Sequence, residues 1–98
     1  MHLKKEENLS SIVLAEEVTF FNKAAILKSL QETPDGSKLE IDFRATVFID
    51  YDVIEILHEF QEKASERKIS ITFIFENETV KSPTNLIERL LNKRKIQA

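Results

Sequence analysis

The chain has 98 residues, with 14 Lys and Arg against 17 Asp and Glu for a formal net charge of −3, and no cysteine. That length makes one small domain with a single core. The acidic balance gives no strong electrostatic case for nucleic acid, and the missing thiols exclude disulfides and thiolate metal sites and fit a reducing compartment.

Hydrophobic residues at 42% and charged residues at 32% are an ordinary globular balance. No apolar run approaches the roughly 20 residues that cross a bilayer. The opening MHLKKEEN has no apolar segment of the kind a signal peptide needs, so the chain as given is expected to be soluble. Its two histidines, His2 and His58, are far apart in sequence. A zinc site built on them would need carboxylates for every other ligand, which is a poor donor set; no metal and no cofactor is expected.

In chain order, residues 1–9 form a polar lead-in and residues 10–98 the domain. The run SIVLAEEV, Ser11 to Val18, predicts a short strand ending in a turn. FFNKAAILKSLQE then changes period: Phe20, Ala24, Leu27 and Leu30 recur at helical spacing, which predicts a helix from Phe21 to Glu32. TPDGSK ends it. Pro34 fixes φ, Asp35 supplies an acceptor, and Gly36, the only glycine, can take positive φ.

KLEIDF alternates, with Leu39, Ile41 and Phe43 on one side and Lys38, Glu40 and Asp42 on the other. Arg44 to Phe48 reads as a connection. A second helix is predicted from Tyr51 to Arg67, with Val53, Leu57, Phe60 and Ala64 as its buried stripe. KISITFIFE is the next strand, Ile69, Ile71, Phe73 and Phe75 sharing a face. Ser82 suits the N-cap and Pro83 the first position of a last helix. Its stripe is Leu86, Ile87, Leu90 and Leu91, and Lys93, Arg94 and Lys95 fall where the helix dipole favours cations.

The order strand–helix–strand between residues 38 and 75 predicts a parallel, right-handed crossover. Parallel strands buried on both faces read as continuous apolar runs. These strands alternate instead, so the expected architecture is two-layered α/β, with helices on one sheet face and a largely polar second face.

Chemistry-bearing residues are few. There is no GxGxxG, P-loop or GxSxG, and one glycine cannot build a phosphate cradle. Asp50 and Asp52 could act as an acid–base pair with His58. However, His58 lies six residues beyond Asp52, nearly two helical turns on, whereas acid–base work needs groups converging on one substrate. The stronger reading is helix initiation: Asp is a favoured N-cap, Asp52 with Glu55 resembles a capping box, and either carboxylate complements the positive end of the dipole. Phe20 and Phe21 read as core and helix start rather than as a base-stacking platform. Asn22 either caps the first helix or contacts a partner, with capping favoured. The basic run Lys93–Lys95 reads as a solvated helix end, with a phospholipid or partner contact as the alternative. Asp42 either accepts hydrogen bonds from a neighbouring connection or faces solvent.

Three segments together carry a resemblance: VTFFNKAAI at 18–26, KLEIDFRATVFIDYDVIEIL at 38–57, and ERKISITF at 66–73. In order and spacing they resemble the STAS domain, the sulfate-transporter and anti-sigma-factor-antagonist module, in the version found at the cytoplasmic C-terminus of bacterial SulP anion permeases. The resemblance covers about residues 10 to 80. It implies a mixed, mainly parallel β-sheet with helices packed chiefly on one face.

In the antagonist branch of that family the turn into the second helix reads D-S-S-G, and its second serine is phosphorylated by a partner kinase. Here it reads Asp50-Tyr51-Asp52-Val53. Asp50 matches the motif's aspartate, Asp52 falls at the phosphoserine position and Val53 replaces the glycine. Asp52 carries one permanent negative charge where phosphoserine carries about −1.5 to −2 switchably. This departure favours the permease branch over a phospho-switched antagonist.

The resemblance therefore implies a non-catalytic regulatory and interaction domain of a sulfate or bicarbonate transporter, on the cytoplasmic side of the bacterial inner membrane. Its partners would be the transmembrane domain of its own transporter and cytoplasmic regulatory proteins. The expected contact residues are Asp50, Tyr51, Asp52, Asn22 and Lys23, on two loops at the same end of the sheet. Nucleotide binding is disfavoured for lack of glycines, and edge strands and the polar sheet face permit a homodimer. The alternative is a freestanding STAS protein of the antagonist type that binds a soluble regulatory partner.

Overall fold

The computed structural model describes residues 9–97, with side chains through Asn92. Of the expected lead-in 1–9, residues 1–8 lie outside the described residues, as do the cationic side chains of Lys93, Arg94 and Lys95, while Leu9 belongs to the first strand rather than to the lead-in. The elements are β1 (Leu9–Val13), β2 (Glu17–Val18), a 3-10 turn (Phe20–Asn22), α1 (Lys23–Glu32), β3 (Lys38–Asp42), β4 (Phe48–Ile49), α2 (Tyr51–Ala64), β5 (Ser70–Ile74), β6 (Thr79–Lys81) and α3 (Leu86–Gln97).

The main sheet has the order β1-β3-β5-β6. Its first three strands are parallel and β6 is antiparallel to β5. A second, small parallel sheet pairs β2 with β4. The fold is α/β with a mainly parallel mixed sheet, in line with the alternation of the strands.

That alternation sets the layers. The register aligns Ser10, Leu39 and Ile71 in one row and Ile12, Ile41 and Phe73 in the next-but-one. Leu39, Ile41, Ile71 and Phe73 are buried in one cluster with Ile26 and Leu30 of α1, Val53 and Leu57 of α2, and Leu86 and Leu90 of α3. The rows between carry Lys38, Glu40, Ser70 and Thr72, of which none is buried. Phe43 anchors the core, stacked on Phe73 at 6.0 Å and on Phe75 at 5.4 Å between ring centroids. Burying a side chain of that size stabilises the fold by about 1.5–3 kcal/mol.

Several boundaries differ from the sequence expectation, each for a local reason. The first strand is two strands. After the Leu14 amide donates to the Asp42 carbonyl at 3.0 Å, the chain leaves β3. The buried Thr46 hydroxyl then holds the Ala15 carbonyl at 2.8 Å, and the Val47 amide holds Glu16 at 2.7 Å. The connection 44–48 therefore contributes β4. Along α1 the buried stripe is Ile26 and Leu30, not Phe20 and Ala24, which are exposed.

Helix α2 ends at Ala64 rather than Arg67 because the next turn tightens, with the Glu66 amide on Lys63 and the Arg67 amide on Ala64, each at 3.1 Å, before Lys68 turns into the left-handed region at φ 58°. The Ile69 amide then bonds back to Ala64 at 2.9 Å and the Lys68 amide to Ser65 at 3.1 Å, the paired bonds of a Schellman stop. The β6 hairpin was not expected; it follows a tight turn in which the Phe75 amide donates to Glu78 at 2.8 Å. Ser82 is not an N-cap. It sits at φ 42°, and α3 begins at Leu86, preceded by Asn85, whose carbonyl accepts from the Arg89 amide at 3.1 Å.

Candidate interaction site

The two loops singled out in the sequence meet through the small sheet. Val18 is in register with Ile49 in a parallel pair, and the Asp50 amide donates to the Val18 carbonyl at 2.8 Å. Parallel neighbours end at the same side, so the chain leaves β2 as Thr19 and leaves β4 as Asp50 side by side. Asn22, Lys23, Asp50, Tyr51 and Asp52 are thereby carried by two adjoining turns.

Each turn is closed by its own side chains. Thr19 is extended, with its hydroxyl accepting from the Phe21 amide at 3.3 Å, while Asn22 Oδ1 reaches back to the Thr19 amide at 2.8 Å. This is a capping box, so the Asn22 side chain is engaged in closing the first turn. It does so from the third position, with Thr19 as the cap. Lys23, the first residue of α1, is exposed.

In the second turn Asp50 is the N-cap of α2, at φ −69° and ψ 145°. Its side chain accepts from the Asp52 amide at 3.4 Å, and its carbonyl accepts from Val53 at 3.0 Å and Ile54 at 3.1 Å. Helix initiation is therefore the role Asp50 performs. The capping box expected from Asp52 to Glu55 does not form, because the cap is two residues earlier and Asp52 lies inside the first turn. Asp52 keeps an exposed carboxylate, and Tyr51 is 39% exposed.

The sequence missed two residues of this surface. Phe20 and Phe21 were assigned to the core, but they are 52% and 87% exposed and pack edge-to-face on each other at 4.8 Å. The reason is geometric: Val18, Ile26 and Leu30 already fill the buried side of this segment, and the 3-10 turn swings both rings outward. The spacing of Ile26 and Leu30, read on its own, was the signal available. The result is an exposed aromatic pair on the turn that adjoins the Asp50–Asp52 turn, apolar area of a kind suited to protein contact.

The acid–base grouping is not assembled. His58 lies on α2, about 10 Å of helical rise beyond Tyr51, and its Nε2 faces Glu62 at 3.3 Å. Its Nδ1 is buried without a hydrogen-bond partner, beside a groove lined by Gln61, Ser65 and Ser82. Among the described residues no group of three or more His, Asp or Glu is placed to hold a metal ion. Asp42 is resolved between its two alternatives. It is buried and accepts from the Arg44 amide at 2.9 Å and from the Arg44 guanidinium at 2.8 Å. Those bonds hold its carboxyl below the ordinary aspartate value and raise the pKa of Arg44. This pair steadies the β3–β4 connection that leads into the second turn.

No helix among the described residues is long and apolar enough to cross a membrane. No protein-family model, curated protein or solved structure matches this chain.

Proposed function

We propose that this chain is the STAS-type regulatory and interaction domain of a SulP-type inorganic anion transporter of the sulfate or bicarbonate class. It acts at the cytoplasmic face of the bacterial inner membrane and neither catalyses a reaction nor carries the ion. Its partners are the membrane domain of the same transporter and cytoplasmic regulatory proteins.

One observation carries the reading: the β2–β4 pairing, which sets the Thr19–Lys23 turn against the Asp50–Asp52 turn. Two of the three segments that carry the resemblance, 18–26 and 38–57, are thus neighbours in space. The α/β fold with a mainly parallel sheet supports it further. So does the exposed carboxylate of Asp52, which the resemblance aligns with the phosphoserine of the antagonist branch. The exposed rings supply apolar contact area, and the carboxylates steer a basic partner and set its register more than its raw affinity.

The test is anion uptake by the transporter bearing this domain, with Asp50→Lys and Asp52→Lys introduced together. Uptake or its regulation should be lost while the protein still reaches the membrane. Unchanged uptake and unchanged binding of every cytoplasmic partner would remove the surface from this role. Binding of a soluble sigma-factor regulator by a freestanding chain would instead establish the antagonist reading.

A further inference from the structure

We propose that the outer edge of β1 is a self-association site, on which a second copy of this chain adds its own β1 antiparallel and centred on Ser11. This does not depend on the transporter reading.

The argument starts from the backbone. Strand β1 is the outer strand of the main sheet. The Leu14 amide bonds to the Asp42 carbonyl of β3, and backbone groups on a strand alternate in direction. Leu14, Ile12 and Ser10 therefore face β3, while the amides and carbonyls of Leu9, Ser11 and Val13 point outward. Those outward groups have no strand partner among the described residues.

The spacing of these three residues is self-complementary. In an antiparallel pair about Ser11, each Ser11 faces the other copy's Ser11, and Leu9 faces the other copy's Val13. All three are hydrogen-bonding positions, so that register satisfies every outward amide and carbonyl; a shift of one residue satisfies none of them. A two-fold axis through Ser11 makes the interface isologous. It also brings together two apolar side chains that are otherwise in water, Leu9 at 41% and Val13 at 71% exposure. Directly opposed apolar side chains are the stabilising unit of a sheet.

The composition of the edge points the same way. LSSIV contains no charge and no proline, the usual guards against edge pairing. The opposite edge is guarded: β6 has three residues, ends in Lys81 and is followed by Ser82 at φ 42°. Beside β1, on the helix side, runs a groove lined by Ile12, Leu14, Val18, Ala25 and Ser29. In the proposed register the incoming Ser10, about 4.7–4.9 Å away, lies opposite Ile12 at this groove, where the small side chains of α1 leave it room. No like charges oppose one another in the paired strands, which favours a second copy over a basic or acidic foreign peptide.

The test is the mass of the 98-residue chain by sedimentation equilibrium over a wide range of concentration, with three variants. The wild-type chain should move to twice the monomer mass as concentration rises. Ser11→Pro removes an outward amide and no bond to β3, a position where edge strands accept proline, and should remain monomeric with unchanged circular dichroism. Leu9→Lys with Val13→Lys opposes like charges across the axis and should also be monomeric, which keeps the test intact if the proline variant misfolds. Leu9→Lys with Val13→Glu opposes unlike charges and should restore the dimer. A wild-type chain that stays monomeric throughout overturns the proposal and leaves the edge to a foreign strand. A dimer indifferent to all three variants overturns it as well, because association then uses another face.

Discussion

The Asp50 amide donates to the Val18 carbonyl at 2.8 Å, just past the Val18–Ile49 pair of β2 and β4. Through this bond the start of α2 is fixed against the start of the first helical turn. Residues 31 positions apart, Thr19 and Asp50, become neighbours without either side chain having to reach for the other. Side chains close the turn on each side, Thr19 with Asn22 in one and Asp50 in the other.

The two aspartates should separate cleanly on substitution. Asp50→Ala removes the N-cap of α2 and should cost about 0.5–2 kcal/mol of stability in a urea titration. Asp52→Ala removes only an exposed charge from the first turn and should cost about 0.3–1 kcal/mol at low salt, less as salt is added. Equal costs at every salt concentration would show that Asp50 is not the cap.

The exposed rings should matter for contact and little for folding. Phe21→Ser, at 87% exposure, should leave stability within about 0.5 kcal/mol of wild type. The same variant should weaken capture of a cytoplasmic partner, read by titration of the purified domain against it. A large loss of stability would place Phe21 in the core after all.

Much of this fold can be read from the sequence, and the gaps are physical. KLEID and SITFI alternate because one sheet face is covered and the other is not, and both strands lie where the period places them. The FIDYDV segment announces a helix start because aspartate at an N-cap is a local preference. Short elements are harder. Two-residue strands such as β2 and β4 have no period to detect, and their pairing depends on Thr46 meeting Ala15 from 31 residues away. Phe20 and Phe21 misled because hydrophobicity says what favours burial, not whether the core has room. Ser82 has the chemistry of a cap but is drawn into the β6 turn by its amide bond to Ile71 at 3.1 Å.

Lys68 offers a test of the Schellman stop. A side chain held in the left-handed region costs roughly 1–2 kcal/mol relative to the right-handed one, and glycine avoids most of that. Lys68→Gly should raise stability by about 1 kcal/mol, read as a higher denaturation midpoint with an unchanged slope.

Arg67 joins the end of α2 to the turn after α1. Its guanidinium donates to Asp35 at 2.6 Å, to the Thr33 carbonyl and to the Leu30 carbonyl at 3.5 Å, and lies 6.0 Å from the centre of the Phe60 ring. Arg67→Ala removes the donor to the Thr33 carbonyl and the pair with Asp35, while Leu30 keeps its bond from the Thr33 amide, and should destabilise by about 1–3 kcal/mol. Arg67→Lys should recover only part of this, because a point charge cannot hold three acceptors in one plane.

Acid stability should report the Asp42–Arg44 pair. The Arg44 hydrogen bonds lower the Asp42 pKa below its ordinary value of 3.8. The unfolded chain then takes up that proton before the folded one. The pair's contribution is full above pH 3.8 and is lost as pH falls through the lower folded-state value. Asp42→Asn should flatten the acid limb of the stability curve in that window. An acid limb identical to wild type would mean the pair is already open in solution.

The central claim is that this domain serves an anion transporter, and the most direct measurement is the coding sequence in frame upstream of Met1. The account predicts about ten or more apolar stretches of roughly 20 residues each, enough to form a membrane domain. An in-frame stop codon and a ribosome-binding site immediately upstream would contradict it.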